Sequence, residues 1–165
     1  MEEKLLIELE TILKAHLNTY IAFMETVRAP TIDLGNVLDH NIKVGEEVLV
    51  DEFPTVKLYF PADTKRTDQL VHNLNDEIEH TYRAYVDVFI QDDSPRNTIL
   101  RLMRYKEALR EVLKQYSTLS SIAIGSIITG TYNTNLFRRG TNLHQGARIE
   151  VDILAFDTDQ TVKVE

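Results

Sequence analysis

The chain contains no cysteine. That absence excludes a disulfide framework, thiolate metal sites and cysteine nucleophiles, and it suits a reducing compartment. No uninterrupted apolar run approaches the ~20 residues needed to span a bilayer. The opening MEEKLLIELE is acidic where a secretory signal is basic. A soluble protein made in the cytoplasm, with no membrane partner, is the expectation. Acidic residues are missing from one long stretch as well, since none lies between Glu111 and Glu150.

What is present fits one compact domain: 165 residues, 43% hydrophobic and 27% charged. A net charge of -8 argues against nucleic-acid binding, whose affinity comes largely from neutralising phosphates. The average hides a segregation. Residues 1–93 carry 8 Lys/Arg against 19 Asp/Glu, residues 94–149 carry 9 against 2, and the last sixteen carry 1 against 5. The acidic and basic parts can pair within one subunit, or between copies in a head-to-tail ring.

Leu5, Leu9, Ile12, His16, Tyr20, Phe23 and Val27, with Leu6, Leu13, Leu17 and Met24 beside them, predict a long first helix from Glu2 to about Arg28, ended by Pro30. Residues 31–52 read as a long surface connection with a short strand over Val48–Val50. FPTVKLYFP is a strand bounded by prolines, and residues 62–77 an excursion with helical character at Asp68–Leu74. HTYRAYVDVFIQDD alternates as a strand. A second helix follows to about Tyr116, with Ser94 as cap, Pro95 in the first turn and a stripe of Ile99, Leu102, Met103, Leu109 and Leu113. Its Arg96, Arg101, Arg104, Arg110 and Lys114 fall largely off that stripe, on the solvent side. Two further strands, LSSIAIGSIITGTYNTNLF and GARIEVDILAF, are most simply antiparallel. The fold class is therefore α+β in the order α-β-β-α-β-β: a four-stranded mixed or antiparallel sheet with two amphipathic helices on one face. One domain occupies 1–156, with a hairpin arm at 134–146 and a peripheral tail at 157–165. Tyr85, Phe89, Leu154 and Phe156 put apolar bulk on the sheet's second face, which suggests cover by a neighbour.

Tests for chemistry give little. GSIITGTY has the glycine spacing of a phosphate-binding loop, but Thr131 stands where lysine is required and no helix follows, so a bulged strand explains it better. His16, His40, His72, His80 and His144 include no pair at helical ligand spacing, and His16 reads as a core or rim residue. Glu150 and Asp152 face the same way on a strand and, with Asp87 or Glu79, form the single constellation that suits a metal-dependent nuclease. Arg148 shares their face, so cross-strand ion pairing is the simpler account. No serine sits in a strand-turn-helix elbow. The expectation is no enzyme, no cofactor and no resident metal.

The long first helix, the capped second helix after YVDVFIQDD and the closing NLFRRGTNLHQGARIEVDILAF resemble the small joining proteins of tailed bacteriophages, most closely the tail terminator. That resemblance covers the chain from the first helix to Phe156. It implies a virion structural protein at the head-tail junction, forming a homo-oligomeric ring, commonly a hexamer. The ring would cap the tail tube protein and meet the head connector or stopper, with DNA only passing through the lumen. Phe137, Arg138, Arg139 and Arg148 are the expected interface residues, the arginines as docking cations and Phe137 as an apolar anchor. Another head-tail connector, or a cytoplasmic adaptor, is the alternative within the structural class; the Glu150/Asp152 nuclease is the alternative outside it.

Overall fold

The computed structural model describes residues 1–46, 50–61, 65–66, 77–134 and 137–158, and for 65, 66, 77, 78, 137, 157 and 158 it describes backbone alone. Helix α1 spans Glu2–Val27 and buries Leu5, Leu9, Ile12, Leu13, Leu17, Ile21 and Met24. After Ile12 the expected face keeps its Leu13, Leu17 and Met24 side and loses the line of His16, Tyr20, Phe23 and Val27. The buried positions continue through Leu13, Leu17 and Ile21, which turns Phe23 and Val27 out to 55% and 52% exposure. His16 sits on the rim, stacked on Tyr116 with ring centroids 4.2 Å apart.

Helix α2 spans Pro95–Gln115. Pro95 opens it as predicted, but the Ser94 side chain makes no cap bond. Asp92 Oδ1 instead accepts from the backbone N–H groups of Asp93 and Ser94, at 2.8 and 3.1 Å. The buried face is rotated from the expected stripe: Thr98, Leu102, Tyr105, Ala108, Leu109, Val112 and Leu113 point inward, while Ile99 and Met103 are 46% and 55% exposed. Arg104, expected in solvent, is buried and donates to the Pro30 carbonyl. The cause is the connection after α1, which crosses this side of α2 and accepts from Tyr105 Oη at the carbonyls of Leu34 and Gly35.

The sheet is mixed and has seven strands, not four. They are β1 (Ile42–Val44), β2 (Thr55–Tyr59), β3 (Lys65–Arg66), β4 (Glu77–Asp92), β5 (Gly125–Asn133), β6 (Phe137–Arg139) and β7 (Asn142–Thr158). The main order is β1-β2-β4-β7-β5, with β3 beside β4 and β6 beside β7. The order helix, strand, strand, helix, strand, strand survives as the long elements α1, β2, β4, α2, β5 and β7. The extra strands are two or three residues long, too short to leave a periodic signal. The first connection forms its strand at Ile42–Val44, parallel to β2, and not at Val48–Val50, where Val50 is irregular and the other two residues lie outside the described residues. The expected helix at Asp68–Leu74 also lies outside them.

Both helices pack on one face of the sheet, as expected. Alternation puts Val86, Val88, Ala147, Ile149, Val151 and Ile153 on that face with at most 2% exposure. These residues and the inward helix faces form one contiguous core. The connection from α2 to β5 turns through three consecutive left-handed residues, Leu119, Ser120 and Ser121, anchored by the buried Leu119 side chain.

Gly146 stands directly opposite Phe89 on β4. A Cβ there would lie 2.9 Å from the Phe89 ring and 3.1 Å from the Val88 carbonyl oxygen. Gly146→Ala should therefore destabilise the fold by ~1–3 kcal/mol through overpacking. Urea denaturation measures it, and a change near zero would show that the ring yields freely.

Candidate docking surface

The outer face of the sheet carries polar and aromatic side chains in register. One row runs Lys57–Asp87–Arg148–Tyr132 across β2, β4, β7 and β5, and the next runs Tyr59–Tyr85–Glu150–Gly130. Arg148 grips Asp87 with two bonds of 2.8 and 2.9 Å and lies 4.4 Å over the Tyr85 ring centroid. It also donates to Tyr59 Oη, which donates in turn to Asp87 Oδ2 at 3.2 Å. Burial, reinforced by the Asp87 charge, pushes the Tyr59 hydroxyl up to about 12, so it stays protonated and keeps its donor role. Two rungs beyond Glu150, Arg83 grips its directly opposed partner Asp152 at 2.8 and 2.9 Å.

Arg148, Glu150 and Asp152 share one face of β7, as the alternation predicted, but the nuclease constellation does not assemble around them. Asp87 and Asp152 each face an arginine, and in the β4 register Asp87 and Glu79 stand four rungs either side of the Asp152 row, ~14 Å away. Among the described residues no three His, Asp or Glu side chains stand together as a metal site. Glu150 has no ion-pair partner among them. Across a groove of about 390 Å³ it shares walls with Phe89, Tyr132 and Arg148. Of the P-loop-like glycines, Gly125 opens β5 opposite Leu154, and Gly130 sits at a bulge after Ile128, where Tyr132 folds over it.

The arm begins at a clamp. Thr134 donates its N–H and hydroxyl to the Gly146 carbonyl and accepts the Gly146 N–H at 2.7 Å. Beyond it, β6 pairs with β7 in the register Phe137↔His144, Arg138↔Leu143 and Arg139↔Asn142. Gly140, at φ +64°, takes the first of the two turn positions, where a left-handed residue is needed. Arg138 and Arg139 are exposed, and neither has an ion-pair partner among the described residues. Arg139 borders a groove of about 710 Å³ whose other walls include Asp51, Phe53, Phe89 and His144. Of the expected interface set, then, Arg138 and Arg139 stand together on the arm. Arg148 belongs to the Asp87–Tyr59–Tyr85 cluster. For Phe137 the backbone alone is placed.

No protein-family model matches the chain, and no curated protein matches its sequence. A chain from a solved structure, the virion of a native gene transfer agent particle, aligns over 85% of this chain and 95% of its own, with 9% identity and a TM-score of 0.30. Likeness at that level carries no weight for fold or function.

Sequence reasoning placed Tyr85 on the outer face but missed Arg83 and Tyr59 as members of its charged cluster. The signal was available in principle, since Arg83, Tyr85 and Asp87 alternate on the outward positions of β4. Their partners depend on the β4–β7 register, which no local pattern specifies.

Asp87→Ala removes one partner of a largely buried pair and strands a guanidinium between two rings. Partial exposure of Arg148 tempers the loss to ~2–3 kcal/mol. Arg138→Ala, on the arm, should stay within ~0.5 kcal/mol of the parent. Equal losses in chemical denaturation would refute the division into structural and free arginines.

Proposed function

We propose that this chain is a phage virion structural protein, a tail terminator whose copies close side by side into a ring. The observation that carries the reading is the pair of sheet edges. At one edge, β5 runs for nine residues without a charge or a proline, exposes Ile127 to 71% and, among the described residues, has no strand on its far side. Such an edge invites pairing unless something covers it. At the opposite edge, β1 has three residues and pairs only with β2 among the described strands.

The two edges differ in sign. Residues 1–59, which hold α1, β1 and β2, carry 5 Lys/Arg against 11 Asp/Glu; residues 94–139, which hold α2, β5 and β6, carry 8 against 2. Pairing β5 with β5 across a two-fold axis would bring two basic flanks together. Pairing β5 with the neighbour's acidic edge brings opposite charges together. Direction agrees: β1 and β7 run one way and β5 the other, so copies set side by side place β5 antiparallel to β1. A repeated heterologous contact of this kind closes into a ring when its rotation permits.

In this reading the ring is a hexamer at the head-tail junction, with the tail tube protein below, the head connector above and DNA passing through. Its work is structural, not enzymatic. The arm projects at one end of the β4–β7 pair, where Arg138 and Arg139 serve as docking cations for a joining partner.

Light scattering at micromolar concentration should give one closed oligomer; a monomer at every concentration counts against the ring. Arg138→Glu combined with Arg139→Glu should leave the unfolding midpoint and the oligomer unchanged and abolish joining of heads to tails in a complementation assay. Joining that survives the double change removes the arm from the contact.

A further inference from the structure

The acidic edge contains a notch of about 570 Å³ between the start of α1 and the end of β1. Leu6, Ile7, Val44 and Phe60 form its apolar floor, and four glutamates line it as well, Glu3 and Glu46 among them. Ile7 and Val44 are 52% and 40% exposed. Glu10 pairs with Lys14, whereas neither Glu3 nor Glu46 has an ion-pair partner among the described residues.

On the basic edge, the α2 positions Ile99, Met103, Lys106 and Arg110 recur at helical spacing along the side next to β5. Lys106 fixes their height by donating to Asn133 Oδ1 at 2.9 Å. Asn133 belongs to the rung Ile42–Val56–Val88–Ala147–Asn133. Arg110 lies four residues further along the helix, ~6 Å. Two rungs along the strands are ~7 Å. Arg110 is therefore level with the rung Val44–Leu58–Val86–Ile149–Thr131, and Val44 is part of the notch floor. Both features lie in the helix layer. Within one chain they are separated by the width of the sheet, roughly 19 Å for four strand spacings, so an arginine for this notch must come from elsewhere.

Resting on the ring reading, we propose that Arg110 of one copy enters the notch of the next. Its guanidinium pairs with the carboxylates of Glu3 and Glu46, and its aliphatic stem covers the floor of Leu6, Ile7 and Val44. Arg110 has no ion-pair partner of its own among the described residues. Side-by-side repetition brings the two features to the same height without further adjustment. The occupant is a second copy of this chain because the opposite edge supplies the charge, the height and the layer together.

Charge exchange tests the contact, read by mass photometry, with thermal unfolding to confirm that each variant folds. Arg110→Glu should weaken ring closure roughly 30-fold or more, as expected for breaking one member of a desolvated ion pair. Glu3→Arg with Glu46→Arg should do the same. The chain carrying all three changes should assemble again, and an equimolar mixture of the two defective chains should form rings in which they alternate. Normal assembly of Arg110→Glu overturns the contact and leaves the ring intact. So does failure of the triple variant to recover while each chain remains folded. A parent chain that never assembles overturns the ring and the contact together.

Discussion

The sixteen-rung antiparallel ladder between β4 and β7 is the constraint on which the other elements depend. At about 3.4 Å per residue it is roughly 50 Å long, half again the ~32 Å of α2, so it outruns the helix layer that covers it. Its inward residues give α2 a floor without a gap. One free side of the pair accepts β2 and then β1. The other accepts β5 and, further along, β6. Each paired strand residue is thereby tied to a numbered rung, and the heights of arm, notch and charged cluster can be compared across the molecule.

The same ladder sorts the arginines into two populations. Arg83 and Arg148 are drawn onto carboxylates directly across it, where bidentate geometry holds both and stacking on Tyr85 adds to the grip on Arg148. Arg104 is held under the connection after α1. Arg110, Arg138 and Arg139 remain uncommitted among the described residues, and all three lie toward the basic edge or the arm. A net charge summed over residues 94–149 treats Arg104 and Arg148 like Arg110, Arg138 and Arg139. Physically they differ, since a guanidinium already chelated and partly desolvated has little to offer a partner, while a free one on a rigid element loses less on docking.

Much of this architecture is legible in the residues themselves. Period-two alternation locates β4 and β7, and the Ser94-Pro95 start locates α2. The glycine pair of β5 reads correctly as strand glycines, with the bulge at Gly130, because lysine is missing where phosphate chemistry needs it. What escapes is set by tertiary register. Three-residue strands such as β1 and β6 form because a neighbour supplies half of their hydrogen bonds, so they carry no pattern of their own. The inward face of α2 is chosen by the loop that crosses it, which is why Ile99 and Met103 turn outward although their spacing fits a core stripe. Arg83 becomes a partner of Asp152 through a pairing 69 residues distant in sequence, beyond the reach of any local rule.

The two sheet edges supply the last step. An uncharged nine-residue strand with an isoleucine in solvent is a hazard for a monomer, which would ordinarily protect it with lysine, proline or a short length. Here the protective devices appear at the other edge, where β1 is three residues long and carries Lys43. An asymmetry of this kind has little use in a two-fold dimer, whose partners present the same patch to each other. It suits the proposed repeating contact, in which an open edge always meets a guarded one, and closure of such a ring would leave no open edge among the described strands. In the proposed ring, segregated charge selects the edges that meet, because every alternative pairing sets like charges against each other.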